Sequence, residues 1–145
     1  MKISHLINGA DHPASDGRVF QRKDPVTGDV ASTAPAASLE DVKTTVAAAH
    51  AAFASWSQTL VGERRKLLNR AADIMDAKAP DFIAAAIAET GATGPWIGFN
   101  VGLAANILRE AAAVVTQLGG TVIPSNKPGT LAMAVHRPKG VCVGI

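Results

Sequence analysis

From residue 38 to residue 118 apolar side chains recur every three or four positions, and outside that span they come in short runs separated by turn residues. The first pattern predicts helices and the second predicts strands. Ser38 ahead of Leu39-Glu40-Asp41 reads as an N-cap with acidic residues in the first turn, and Val42, Val46, Ala49, Phe53 and Trp56 follow at helical spacing, so the first helix ends near Ser55. A second helix is expected over residues 63–79. It buries Leu67, Leu68, Ala71, Ile74 and Met75 and leaves Arg64, Arg65, Lys66, Arg70, Asp73 and Asp76 as a solvated face. Pro80 suits the first turn of a third helix through Phe82, Ile83, Ala86 and Ile87, with Gly91 where a left-handed cap is wanted. A fourth runs from Pro95 to Leu118. Its apolar residues form two stripes, Trp96, Phe99, Leu103 and Ile107 on one and Ile97, Val101, Leu108 and Val115 on the other, which predicts cover on more than one side. Gly94, Gly98 and Gly102, four apart, predict the close approach of another backbone.

Before residue 36, Asn8-Gly9, Asp16-Gly17, Asp24-Pro25 and Thr27-Gly28 separate short apolar pieces, predicting short strands and a surface arm. After residue 120, a Lys127-Pro128-Gly129 turn and an Arg137-Pro138-Lys139-Gly140 turn bound two expected strands, 130–136 and 141–145. The second is apolar throughout, as in a parallel strand buried on both faces, and such a strand needs neighbours. The expectation is part of a larger sheet. There is no internal repeat and no low-complexity linker.

The 145 residues amount to one domain's length, and 48% hydrophobic against 18% charged residues is enough apolar material to fold. Fourteen Lys+Arg against 12 Asp+Glu leave a net charge of +2, which argues against nucleic acid as a partner. Arg109-Glu110 interrupt the apolar run of the fourth helix short of the roughly 20 residues a bilayer span needs, so no membrane is expected. A single cysteine and a turn at Asn8-Gly9 in place of a signal-peptide core point to the cytoplasm. Alanine, 28 of 145, strengthens the helical reading of the middle.

Catalytic chemistry is sparse. Cys142 sits between valines, which predicts a buried, inert thiol. His5, His12, His50 and His136 lack metal-ligand spacing with one another or with Cys142, so no metal site is expected. No G-x-G-x-x-G or G-x-x-x-x-G-K-[ST] occurs, and Gly91-Ala92-Thr93-Gly94 reads as a cap and turn. Glu89 beside a helix end would suit a general base, but nothing in the sequence places a second titratable group next to it. No residue is assigned a catalytic role.

The order of landmarks carries more. Ile7-Asn8-Gly9, Phe20, Asp24-Pro25-x-Thr27-Gly28, Asp41-Val42, Ala48-Ala49, Ala52-Phe53-x-x-Trp56, Arg64, Ala71-Ala72-Asp73-Ile74-Met75, Glu89-Thr90-Gly91 and Arg137-Pro138-x-Gly140-Val141 resemble the N-terminal third of an NAD(P)-dependent aldehyde dehydrogenase. Asp24 stands where that family usually has Asn, and both suit a turn. Glu89 to Trp96 with Phe99-Asn100-Val101-Gly102-Leu103 further resembles the aromatic branch, the salicylaldehyde, benzaldehyde and vanillin dehydrogenases.

The resemblance implies an α/β fold. Residues 1–128 would be the N-terminal arm and helices of a Rossmann-type coenzyme domain, 129–138 an oligomerisation strand, and 139–145 the first strand of the nucleotide-binding sheet. It implies oxidation of an aromatic aldehyde with NAD or NADP through a cysteine thioester, in a homo-oligomer, dimer or tetramer. The nucleophilic cysteine, the water-activating glutamate and the oxyanion-holding asparagine of the family lie downstream of these motifs, so the 145 residues alone are expected to be inactive, and the unpaired edges and apolar faces of the final strands make them prone to associate. Ile145 matches a position lining the cofactor cleft. Trp96, Phe99, Asn100 and Leu103, at i, i+3, i+4 and i+7, share a face of the helix that in the family runs beside the aldehyde tunnel. The same stripe is also what ordinary core between helices looks like. The competing reading of the whole chain is a non-catalytic helical interaction module.

Overall fold

A computed structural model describes residues 1–144. Ile145 lies outside the described residues, and the cofactor-cleft expectation falls on it. The chain starts with two hairpins, β1 (His5–Ile7) with β2 (Ala10–His12) and β3 (Val19–Lys23) with β4 (Val30–Pro35), both antiparallel. Asn8 and Gly9, both at positive φ (51° and 76°), make the two-residue turn that such a dipeptide favours. The second hairpin turns on Asp24, whose Oδ1 accepts from Val26 N at 2.7 Å and Thr27 N at 3.2 Å. Residues 1–3 lie along the free edge of β4, with Ile3 N donating to Thr33 O and Thr33 N to Met1 O, each at 2.9 Å.

Four helices follow: α1 (Leu39–Trp56), α2 (Val61–Ala77), α3 (Ala79–Thr90) and α4 (Gly94–Val114). The chain then makes an antiparallel ribbon of β5 (Thr121–Ile123) and β6 (Ala132–Ala134). The main packing is α2 and α3 against α4, with α3 also resting on the β3–β4 hairpin. The deepest residues of the helical seam are small, Ala72, Ala105 and Ala112, each at 1% exposure or less. Small side chains let the axes approach, and the bulky ones flank the seam. Leu67 and Ile74, expected inside, are therefore about half exposed.

Several expectations need correcting. α4 ends at Val114, where the chain passes into turns, four residues before Leu118. Only one of its stripes is covered: Ile97, Val101, Leu108 and Val115 are half-buried, while Trp96, Phe99, Leu103 and Ile107 face outward. Among the described residues no other backbone approaches the glycine row. A Cβ on Gly94 or Gly98 would meet the side chains of Ile87 or Ile83, and one on Gly102 would meet open space. β6 covers three residues of the expected 130–136, and residues 141–144 have no ladder partner among the described residues. The parallel-sheet strand is thus not formed here, because the neighbours that would hydrogen-bond it are not supplied by residues 1–144. Cys142, for the same reason, is exposed and not buried.

Candidate functional site

The sequence-predicted face on α4 exists as a surface. Its direction is fixed upstream: α3 ends on Gly91 at φ 69°, whose N–H donates to Ile87 O at 2.8 Å, and Pro95 starts the next helix three residues after that cap. Trp96 and Phe99 stack with ring centroids 5.8 Å apart at 24°, a geometry aromatic pairs favour. Both rings are 59% exposed and Leu103 45%. Asn100 Nδ2 donates to Trp96 O at 2.8 Å, which holds the amide against its own helix, and its oxygen has no hydrogen-bond partner among the described residues. The structure therefore brings Trp96, Phe99, Asn100 and Leu103 together on one open face.

Two polar clusters that sequence spacing missed hold the surrounding frame. Ser32 in β4, fully buried, donates its hydroxyl to Glu89 Oε1, and Arg22 Nε in β3 stands 3.2 Å from Glu89 Oε2. A cation therefore does sit beside Glu89, contrary to the sequence reading. With both carboxylate oxygens engaged, Glu89 fastens the C-terminal turn of α3 to the hairpin and is not poised as a free base. These partners lie more than fifty positions away in the chain, so no local motif signals them.

The second cluster is at the start of α1. Asp41 accepts from Ser38 N at 2.8 Å and from Ser15 N at 3.0 Å, while its own N–H donates to Ser38 Oγ at 3.2 Å. These donors, the Ser38 N–H foremost, hold the Asp41 carboxyl at about 2, below its ordinary 3.8. Between α1 and residues 141–143 lies an apolar groove of about 320 Å³ lined by His5, Val42, Val46, Ala49, Val141 and Cys142. His5 Nε2 is shielded from solvent there without a hydrogen bond.

The sequence profile of the aldehyde dehydrogenase family matches residues 12–145. This chain belongs to the aldehyde dehydrogenase family. Among relatives of this aldehyde dehydrogenase chain, a vanillin dehydrogenase of a Pseudomonas species is 56% identical over 140 residues, covering 97% of the chain and 29% of the relative. The crystal structure of a salicylaldehyde dehydrogenase from Pseudomonas putida, complexed with salicylaldehyde, superposes with a TM-score of 0.93 at 40% identity, over 95% of this chain and 28% of that one. An NAD-dependent benzaldehyde dehydrogenase from Corynebacterium glutamicum gives a TM-score of 0.82 at 30% identity, over 88% and 28%. The chain thus spans somewhat under a third of the length of these relatives. The fold expected from the motif order, the N-terminal part of an aldehyde dehydrogenase, agrees with these superpositions. No helix among the described residues is long and apolar enough to cross a membrane.

Proposed function

We propose that these residues are the N-terminal part of an enzyme that oxidises an aromatic aldehyde to its carboxylic acid with a nicotinamide cofactor, and that the Trp96, Phe99, Asn100 and Leu103 face of α4 forms one wall of the aldehyde's path. The observation that carries this reading is the open, stacked Trp96–Phe99 pair. A flat aromatic ring gains roughly 0.5–1.5 kcal/mol against such a pair beyond area burial. Asn100 Oδ1 would accept a hydrogen bond from a ring hydroxyl of the kind salicylaldehyde carries. The substrates in the relatives' names, vanillin, salicylaldehyde and benzaldehyde, support the same class and favour an enzyme over a non-catalytic helical module.

The residues described do not fit a nicotinamide cofactor by themselves. They offer no glycine-rich phosphate cradle, since the Gly91 turn is a helix cap that packs on Pro25. Cofactor contact within this chain is assigned to Ile145 alone, with NAD and NADP both open, and residues 129–138, which include β6, are assigned to homo-oligomer assembly in the cytoplasm. No catalytic step is assigned to Cys142.

The test is a segment exchange. Residues 1–145 replace the matching segment of the vanillin dehydrogenase, and reduced cofactor is followed with vanillin, salicylaldehyde and a short aliphatic aldehyde. The expected result is turnover with the aromatic aldehydes preferred in kcat/KM. Preference for the aliphatic substrate overturns the reading.

A further inference from the structure

At about 100° per residue, Trp96 and Asn100 stand about 160° to either side of Gly98 around α4, and Leu103 about 140° from it. Gly98 is therefore at the back of the face assigned to the aldehyde. Behind it lies α3. A Cβ added to Gly98 would stand 3.6 Å from Ile83 Cδ1, and one added to Gly94, a turn earlier, 3.7 Å from Ile87 Cδ1. These are ordinary carbon–carbon separations, so the space behind the wall admits one methyl group and little more.

The two halves of α4 are held differently. Its C-terminal half is pinned to α2: Arg65 Nε donates to Ala112 O at 3.1 Å, and Arg109 Nη2 reaches Asp73 Oδ1 at 2.9 Å and Asp76 Oδ2 at 2.7 Å. Among the described residues, no side-chain hydrogen bond or ion pair joins residues 94–104 to another element, and Thr93 gives the helix start no side-chain cap. The half that carries Trp96 and Phe99 is therefore placed by apolar contact, with its pinned end about 16 Å along the axis from Gly98. α3, by contrast, is fixed, since Glu89 fastens it to the hairpin through Ser32 and Arg22. Bulk inserted between the two helices would thus be taken up by α4, which swings its outer face forward.

We infer that Gly98 is a positioning residue for substrate selection: its contact with Ile83 sets how far back the Trp96, Asn100 and Leu103 wall stands, and so the width of the path open to aromatic aldehydes that carry ring substituents. The inference rests on the reading of this face as a wall of the aldehyde's path and adds to it a determinant that never touches the substrate. Valine at this position would carry two γ carbons about 1.5 Å beyond the Cβ, and its stiff χ1 leaves little freedom to turn them away from Ile83. A clearance of 3.6 Å at Cβ does not hold them at the roughly 3.5–4.0 Å that carbon atoms need.

The experiment uses the vanillin dehydrogenase carrying residues 1–145 in place of its matching segment, and reads kcat and KM for vanillin, which has two ring substituents, and for benzaldehyde, which has none. Gly98→Ala should leave the vanillin-to-benzaldehyde ratio of kcat/KM unchanged, because its methyl fits. Gly98→Val should lower the ratio about fivefold or more, chiefly through a higher KM for vanillin with kcat for benzaldehyde held. Ile83→Ala removes three carbons where Gly98→Val adds three, so the double variant should return the ratio to within about twofold of its starting value, a rescue that a general loss of stability would not give. Ile83→Ala alone should move the ratio in vanillin's favour, and it decides the matter should Gly98→Val fail to fold. The inference is overturned if Gly98→Val lowers both aldehydes equally, if the double variant does not restore the ratio, or, where Gly98→Val does not fold, if Ile83→Ala leaves the ratio in place. Trp96→Ala separates this failure from failure of the underlying reading. A selective loss of aromatic against aliphatic turnover in that variant, beside an unmoved ratio in Gly98→Val, removes the role of Gly98 alone; an equal loss in Trp96→Ala removes the wall itself.

Discussion

Ser38 and Asp41 close a reciprocal pair at the head of α1, each side chain accepting from the other's backbone N–H, at 3.2 Å onto Ser38 Oγ and 2.8 Å onto Asp41 Oδ2. Asp41 also reaches out of the helix to Ser15 N. The pair therefore both starts α1 and ties it to the N-terminal arm, which matters for a helix with little other packing. Ser38→Ala is expected to lower stability by roughly 0.5–2 kcal/mol, read from chemical denaturation.

A pH dependence follows from the same group. With its carboxyl held at about 2 against an ordinary 3.8, Asp41 stabilises the folded form above about pH 4, and that contribution is lost as the pH falls through 2. Hydrogen exchange of the α1 amides should accelerate over that window after correction for intrinsic rates. Asp41→Asn should weaken α1 at neutral pH and remove the acid transition; a transition of unchanged size in the variant contradicts the assignment.

Glu89 is predicted to act as a fastener. Ser32→Ala leaves a carboxylate oxygen without its buried donor and should cost about 1–3 kcal/mol. Glu89→Gln, which keeps an acceptor for Ser32, should cost less than Glu89→Ala. Thermal unfolding of the three variants checks the order.

Gly91 is predicted to tolerate no side chain. Its φ of 69° costs an ordinary residue roughly 1–2 kcal/mol, and an added Cβ would stand 2.9 Å from Pro25 Cγ. Gly91→Ala should therefore destabilise by at least that amount, whereas Gly102→Ala, with open space around the site, should be neutral or stabilising.

Cys142, exposed among residues 141–144, should react with an aromatic disulfide reagent in the native chain at the rate of a free thiol. Protection until denaturant is added would restore the buried strand expected from the sequence.

What was legible in the sequence was local. The Ser38 cap, the Gly91 cap, the Asn8-Gly9 turn and the stripe on α4 each rest on spacing within one element, and each is found. What was not legible depends on which surface meets another. Periodicity gave α4 two apolar stripes but could not say that Ala72 and the alanines of α4 would close one and leave Trp96 and Phe99 open. It equally could not join Ser32 to Glu89. The valines around Cys142 encode a strand that forms only beside neighbours, and residues 1–144 provide none.

The most direct test of the central claim is Trp96→Ala in the segment-exchanged enzyme, comparing kcat/KM for salicylaldehyde and for a short aliphatic aldehyde. Loss of a ring contact of roughly 0.5–1.5 kcal/mol predicts a fall of about two- to tenfold for the aromatic substrate, with the aliphatic value held. An equal fall for both, in step with a lower Tm, would make Trp96 a packing residue and contradict the assignment of the α4 face to the aldehyde.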